Sequence, residues 1–334
     1  MKKITIADVA KHAGVSKSTV SQYLNQRFDY MREETKERIE DAIEKLGYRP
    51  NILARSLKQK STTTIGVIVA NILHEFSTQI IRAIEDVCNE RDFHVIVCNA
   101  DDNPDKEKKY IDMLRAKQVD GLIAIPTGEN VSLYQDLVKE NYPFVFIDRL
   151  IEGVDIDAVL LDNEKASYLA VESFIKHGYS KVAMLAPSLH SNITPRIERL
   201  NGYKKALEQY QVPLNEEYLV NCEISEMQQV LDRLLHLQHP PNAILAGNDL
   251  VLYEVLAYSK KLNIQIPDDV ALIGIDDVSY AEVFSPALTT IAQPTFEMGE
   301  KAANILFEKI QNKDHINQAG IYRFEPRLLE RESY

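Results

Sequence analysis

Between residues 16 and 25 the chain reads SKSTVSQYLN, and most of its side chains can donate or accept a hydrogen bond. The apolar exceptions, Val20 and Leu24, lie four residues apart, about one helical turn, so the stretch reads as a short helix with a narrow apolar stripe. Lys17, Ser18 and Gln22 fall at i, i+1 and i+5 near its start. From those positions a helix laid in the major groove of duplex DNA reaches base edges, lysine suiting guanine acceptors and glutamine the N6/N7 edge of adenine. Thr5, Ser16, Thr19, Ser21 and Asn25 carry hydroxyl or amide groups suited to phosphate oxygens, contacts that position a protein without reading sequence. A small helical protein-interaction domain is the competing reading of the same face.

The flanking residues supply what would hold that helix. Thr5 and Asp8 have capping-box spacing and open a helix that turns Ile6, Val9, Ala10 and Ala13 inward and stops at Gly14. Ser16 caps the next helix after only a Gly-Val turn, which is helix-turn-helix spacing. A third helix is expected from Glu33 to Leu46, with Ile39, Ile43 and Leu46 on one face and Gly47 at its end. After Tyr48-Arg49-Pro50, Asn51 can cap a fourth, very short helix through Leu57 or Lys58 that exposes Leu53 and Leu57. A helix that short is unstable alone in water, so it should fold only against a partner. Residues 1–60 hold 13 Lys+Arg against 8 Asp+Glu, while the remainder of this 334-residue chain is strongly acidic, for a net charge of -12. A basic head on an acidic body implies that only the head meets a polyanion.

Beyond Ser61-Thr62-Thr63-Thr64 the pattern changes. Apolar runs at 65–70, 94–100, 120–126, 143–148, 157–162, 182–187, 243–248 and 270–276 alternate with segments of helical spacing. Non-alternating β-branched strands between helices are what a parallel sheet covered on both faces requires. The number of units suggests two α/β subdomains, changing over near Asp162 and crossing back near LTTIAQP (288–294), with a single TIM barrel as the alternative. A ligand of such subdomains lies between them at the carboxyl ends of the strands. Asp148, Asn248 and Asp276 fall at strand ends, and Phe76 and Ser77 just beyond the first strand. Neither GxGxxG nor GxxxxGK[ST] nor GxSxG occurs, and His236 and His239 lack a third ligand nearby, so no catalytic, cofactor or metal site is expected. Cys88, Cys98 and Cys222 are too few and scattered for a disulfide framework, and no apolar run approaches the roughly 20 residues of a membrane span. With no apolar leader behind MKK, a cytoplasmic protein is expected.

TIADVAKHAGVSKSTVSQYLN, the YRPN-x-x-AR-x-L segment, GNDL, IPDDVALIGIDD and PALTTIAQP together resemble the LacI/GalR family of bacterial transcriptional repressors, in family order and over nearly the whole chain. The resemblance implies a helix-turn-helix head over 1–48, a hinge helix and linker over 49–61, and a periplasmic-binding-protein-like core over 62–334. Within the core it implies an N-subdomain of about 62–161 and 291–322 and a C-subdomain of about 162–290 and 323–334. It further implies a homodimer on a pseudo-palindromic operator, tuned by a small sugar or sugar-acid effector. The absence of a leucine-heptad tail favours a dimer over a tetramer. In the hinge, Leu57 matches the leucine pushed into the minor groove and Ala54 the small residue that lets paired helices approach, with Asn51 and Arg55 beside them. Arg199, three residues before Gly202-Tyr203, matches an effector-binding arginine; Arg196 and Arg149 are its neighbours in the expected cleft. Asp249 is open between helix cap and ligand contact, and Asp277 is equally ambiguous. The arginines suit an acidic sugar, and the SQYLN-x-RFDYM run resembles repressors of ketodeoxygluconate and hexuronate use, which points to 2-keto-3-deoxygluconate; a neutral or phosphorylated sugar stays open. The chain departs from the family at Gln22, where arginine is common, and at Arg32, where a capping serine is common. The turn between them is about one residue longer. A solute-binding sugar receptor without a DNA role and a sugar-processing enzyme are the competing functions.

Overall fold

A computed structural model describes residues 4–25, 27–29, 31–49, 61–189, 193–312 and 319–334. The chain divides into two compact units, residues 1–62 and 63–334.

The first unit holds three helices: α1 (Ile6–Ala13), α2 (Lys17–Leu24) and α3 (Glu33–Leu46). Their core is small, built from Val9, Ala10, Ala13, Val20, Ile39 and Ala42. At the start of α1 the Asp8 carboxylate accepts from the Thr5 backbone N–H (2.9 Å) and hydroxyl (2.7 Å), satisfying a donor the helix cannot. At its end Gly14 takes φ 65°, the left-handed conformation that lets the chain reverse into α2. The Arg38 guanidinium of α3 donates to the carbonyls of Ala13 and Gly14, clamping that turn from across the core. Ser16 caps α2, accepting from the Thr19 N–H at 3.1 Å. Arg32 is the residue before α3 and makes no side-chain cap; Glu33 and Glu34 in the first turn compensate the helix dipole instead. The longer α2–α3 turn is anchored by Phe28, edge-on to Tyr23 at 5.9 Å and beneath the Lys36 ammonium at 4.7 Å. The expected hinge residues Asn51, Ala54, Arg55 and Leu57 lie outside the described residues.

The second unit begins β1 (Thr64–Val69), α4 (Glu75–Glu90), β2 (His94–Asn99), α5 (Pro104–Ala116), β3 (Gly121–Ala124), α6 (Val131–Lys139), β4 (Phe144–Ile147) and β5 (Ala158–Leu161). The pattern then repeats with α7 (Asn163–Lys176), β6 (Val182–Pro187), α8 (Thr194–Gln209), β7 (Leu219–Cys222), α9 (Met227–Leu235), β8 (Ala243–Ala246), α10 (Asp249–Leu262), β9 (Ala271–Ile275) and β10 (Thr289–Ala292). It finishes with α11 (Thr295–Gln311), β11 (Ile321–Phe324) and β12 (Arg327–Leu329). The strands form two sheets, ordered β11-β5-β4-β3-β1-β2 and β12-β10-β9-β8-β6-β7. All pairs are parallel except β10–β12. Two open sheets with buried apolar strands replace the alternative of a single closed barrel.

The ladder register moves two expected boundaries. Ile291 and Ala292 are paired to Leu328 and Arg327 in the second sheet, so the chain leaves the C-subdomain only at Gln293-Pro294, not after residue 290. Arg323 and Phe324 are paired to Leu160 and Leu161 in the first sheet, so the return comes at Glu325-Pro326, not after residue 322. A chain cannot leave a sheet before its last ladder bond. With the crossing at Asp162, three strands of backbone link the subdomains.

In each sheet the order reverses once, between β1 and β3 and between β6 and β8. These reversal points open a crevice at the carboxyl ends of the strands, where α/β sheets bind ligands. Gly202 sets the fit behind that crevice: a Cβ there would overlap the Glu164 backbone carbonyl, so only glycine lets α8 lie this close to α7.

Candidate nucleic-acid interface and effector cleft

On α2, Lys17, Ser18 and Gln22 are exposed on the face opposite the buried Val20. The five residues read as phosphate contacts sit around them, already ordered by local bonds. The Ser16 hydroxyl is shared with those of Ser18 (2.6 Å) and Thr19 (2.8 Å), and the Asn25 amide donates to the Ser21 carbonyl at 2.7 Å. Thr5 spends its hydroxyl on Asp8. The face is thus preorganised, with a lysine and a glutamine left to extend outward.

In the second unit the structure brings all eight expected effector residues to one cavity. Phe76, Ser77, Asp148, Arg149, Arg196, Arg199, Asn248 and Asp276 line about 530 Å³ of space between the subdomains. Each arrives from a different local cause. Phe76 and Ser77 occupy the first turn of α4, not a loop after β1. Asp148 and Asp276 follow β4 and β9, which hold the same place in the two sheets, and both adopt positive φ (68° and 84°). Such left-handed strain at equivalent strand ends aims two carboxylates into the crevice, and conformations of this kind concentrate at functional sites. Arg199 is held by Asn163 Oδ1 (Nε, 2.9 Å) and the Gly247 carbonyl (Nη1, 2.7 Å), contacts that the close α7–α8 approach makes possible.

Asp276 is buried; it accepts from Gln293 Nε2 (2.5 Å) and the Asp249 N–H (3.3 Å). Burial raises its pKa above the ordinary carboxylate value, with Arg199 pulling the other way. Arg149 donates to Asp102 (2.9 Å) and the Pro126 carbonyl (3.3 Å). Arg196 donates to the Ser188 carbonyl at 2.5 Å, and its pKa is lowered, first by burial and next by Arg149.

The ambiguous aspartates separate. Asn248 is the cap of α10, accepting from the Val251 N–H at 2.9 Å through Oδ1, and it also lines the cavity. Asp249 instead crosses the cleft, accepting from the Glu75 N–H (2.8 Å) and lying 2.5 Å from His74 Nδ1. Glu75 reaches back to the Ser279 N–H at 3.0 Å, and the Leu150 N–H donates to the Thr194 hydroxyl at 2.9 Å. Asp277 turns away to Arg331 (2.9 Å) and Thr290 (2.6 Å). His74, Asn71 and Gln293 also line the cavity and were not expected there. Gln293 had a signal as the glutamine of LTTIAQP, and Asn71 had one in directly following the apolar run 65–70; His74 had none. Among the described residues no cluster of His, Cys, Asp or Glu could hold a metal, and no helix is long and apolar enough to cross a membrane.

Comparison with known proteins agrees with this architecture. The pattern of the lacI family of bacterial regulatory proteins matches residues 5–51, and that of a periplasmic binding protein-like domain matches residues 171–334. The chain is 50% identical to a probable HTH-type transcriptional regulator, EndR, of Paenibacillus polymyxa, over 98% of each chain. It is 33% identical to the HTH-type transcriptional regulator KdgR of Bacillus subtilis (strain 168), over 98% of this chain and 97% of that one. The solved lac repressor dimer bound to operator and the anti-inducer ONPF superposes with a TM-score of 0.83 at 25% identity, covering 99% of both chains. The chain belongs to the lacI family of bacterial regulatory proteins, a helix-turn-helix head joined to a two-subdomain periplasmic-binding-protein-like core.

Proposed function

We propose that this protein is a transcriptional repressor of carbohydrate-catabolism genes that binds a pseudo-palindromic operator as a homodimer and is released by a sugar acid. The observation that carries the reading is the pairing of two surfaces in one chain. Lys17, Ser18 and Gln22 stand exposed on the second helix of a helix-turn-helix, while eight side chains from both subdomains converge on one cleft. In this reading α2 enters the major groove with Lys17, Ser18 and Gln22 on base edges, while Thr5, Ser16, Thr19, Ser21 and Asn25 hold phosphates. Asn51, Ala54, Arg55 and Leu57 form the minor-groove hinge. The lac repressor dimer solved on its operator supports the dimer and the operator, and the three arginines lining the cleft support an acidic sugar such as 2-keto-3-deoxygluconate as the effector. Exposed apolar residues such as Leu73, Val97, Tyr253 and Val283 suit burial against the second copy. The protein acts in the cytoplasm, on the nucleoid.

Mechanistically, the effector changes the angle between subdomains linked by three backbone crossings, and the operator prefers one angle. Linkage then requires the operator to weaken effector binding by the factor by which the effector weakens operator binding. A gel shift of the full-length protein on a palindromic probe, with and without 2-keto-3-deoxygluconate, tests this. Retarded DNA released by the sugar acid is expected. No retardation at low salt overturns the repressor reading in favour of a solute receptor.

A further inference from the structure

Three guanidinium groups border the cleft, and they are not equally compensated. Arg149 donates from Nη1 to Asp102 at 2.9 Å, while its buried Nε reaches only the Asp148 carboxylate, at 3.5 Å, and makes no hydrogen bond. Leaving a buried charged donor without a well-made hydrogen bond is unfavourable, so an acceptor better placed than Asp148 is the natural explanation. Arg196 donates to a neutral carbonyl, that of Ser188, and among the described residues it has no carboxylate within ion-pair reach. Its position is also unfavourable for the helix that carries it. Arg196 stands in the first turn of α8, where the helix dipole disfavours a cation, and no acidic residue in that turn offsets it. Burial and the Arg149 charge destabilise the Arg196 cation further, and Asp102, Glu223 and Asp148 do not make up the difference. Arg196 borders both the inner cavity and an outer space of about 1040 Å³ at the mouth, so it stands at the neck between them. Elsewhere in the same lining the polarity reverses: Gln293 Oε1 is a buried acceptor without a donor, and the Nε2 of the same amide bonds the Asp276 carboxylate.

Resting on the effector cleft proposed above, we infer that Arg149 and Arg196 form an anion subsite that selects acidic sugar derivatives over neutral sugars. The anionic group lies between the two guanidiniums, accepting from Arg149 Nε and the outward nitrogens of Arg196. Hydroxyls of the same molecule point toward Gln293 Oε1 and Asp276. The orphan donor and the orphan acceptor thereby fix which end of the ligand goes where. A carboxylate and a phosphate share this chemistry, and the experiment separates them.

The test is calorimetric titration of the full-length protein with 2-keto-3-deoxygluconate, D-gluconate and D-galacturonate, with neutral D-glucose and D-galactose, and with D-glucose 6-phosphate. At least one anionic compound should bind tighter than the neutral sugars by roughly tenfold or more, as expected when charge-assisted hydrogen bonds are gained. Arg196→Gln, which keeps length and polarity, should shrink that acid-to-neutral ratio by roughly tenfold or more, and Arg196→Lys should restore part of it. Preference for the acids places a carboxylate in the subsite; preference for glucose 6-phosphate places a phosphate there. Neutral sugars binding as tightly as every anion, or a ratio unchanged in Arg196→Gln, overturns the subsite while leaving the cleft reading intact. Failure of the cleft reading looks different: Asp276→Asn and Arg199→Ala would then leave binding of the whole panel unaltered.

Discussion

Removing the His74–Asp249 contact should loosen the junction of the subdomains by an amount that depends on pH. His74 Nδ1 lies 2.5 Å from Asp249 Oδ1, with both side chains largely buried. Burial alone would drive both toward their neutral forms, but the hydrogen bond and the mutual charge outweigh it. The His74 pKa is raised above 6.5 and that of Asp249 is lowered. Asp276 helps to hold the His74 proton and Arg149 opposes it. A charge-assisted hydrogen bond in such a place contributes about 1.5–3 kcal/mol net, well below the gross Coulomb attraction, because desolvation offsets much of it. The sign follows from linkage. A raised histidine stabilises fully below its unfolded value and loses that contribution as pH climbs through its folded value; a lowered aspartate contributes above its unfolded value, about 3.9. The pair is therefore at full strength between about pH 4 and 6.5 and weakens at higher pH. The assay is a double-mutant cycle of His74→Ala and Asp249→Asn by urea unfolding, followed by far-ultraviolet circular dichroism, because the chain has no tryptophan. A coupling of about 2 kcal/mol is expected at pH 6, falling by more than half once His74 deprotonates. A coupling under about 0.5 kcal/mol, or one that does not change between pH 6 and 9, would refute the reasoning.

Three further outcomes follow from single contacts. Gly202→Ala forces α8 away from α7, so thermal unfolding should register a loss of about 1–3 kcal/mol, and effector affinity should fall as Arg199 shifts from Asn163; an unchanged Tm would be inconsistent with that packing. Gly14→Ala places a Cβ 2.7 Å from Arg38 Nη2 at φ 65°, so operator affinity should drop and amide exchange in the head should quicken by the equivalent of about 1–2 kcal/mol. Gln22→Arg should move selected operator sequences from adenine toward guanine at one position per half-site, with roughly 1–3 kcal/mol of discrimination, and identical selected sites would remove Gln22 from base reading.

The eight continuous apolar runs correspond to eight strands because strands covered on both faces need no alternation and stand out against their helices. Of the edge strands only β2 stood out, by its apolar run alone and not by full burial; the others gave no such signal, since β7 is only half-buried and Ile321 and Tyr322 of β11 face solvent. Their pairing depends on neighbours far away in the chain. The residues that line the cleft were legible where they follow a strand run, as Asp148, Asn248 and Asp276 do, or where they match a family motif, as Arg199 does. His74 had no comparable mark. Its partner is 175 positions away, and neither residue's neighbours announce a contact across the cleft. The Asp249 ambiguity had the same origin, since a carboxylate at the start of a helix looks locally like a cap. Arg38 shows the point in the head: on α3 it reads as a solvated charge, yet it closes the turn after α1.

The threading of the chain through both sheets also has a consequence for synthesis. The first sheet lacks its outer strand until residue 324 has left the ribosome, and the second lacks β12 until residue 329. Ser333 is then buried, donating to the Leu272 carbonyl and accepting from the Thr289 N–H. The helix-turn-helix unit comes first in the chain and has its own small core of Val9, Ala10, Ala13, Val20, Ile39 and Ala42. A nascent chain therefore holds the side chains proposed to read bases long before it holds the complete cleft proposed to take an effector. Fusions or deletions at the carboxyl end should for that reason impair regulation before they impair contact with DNA.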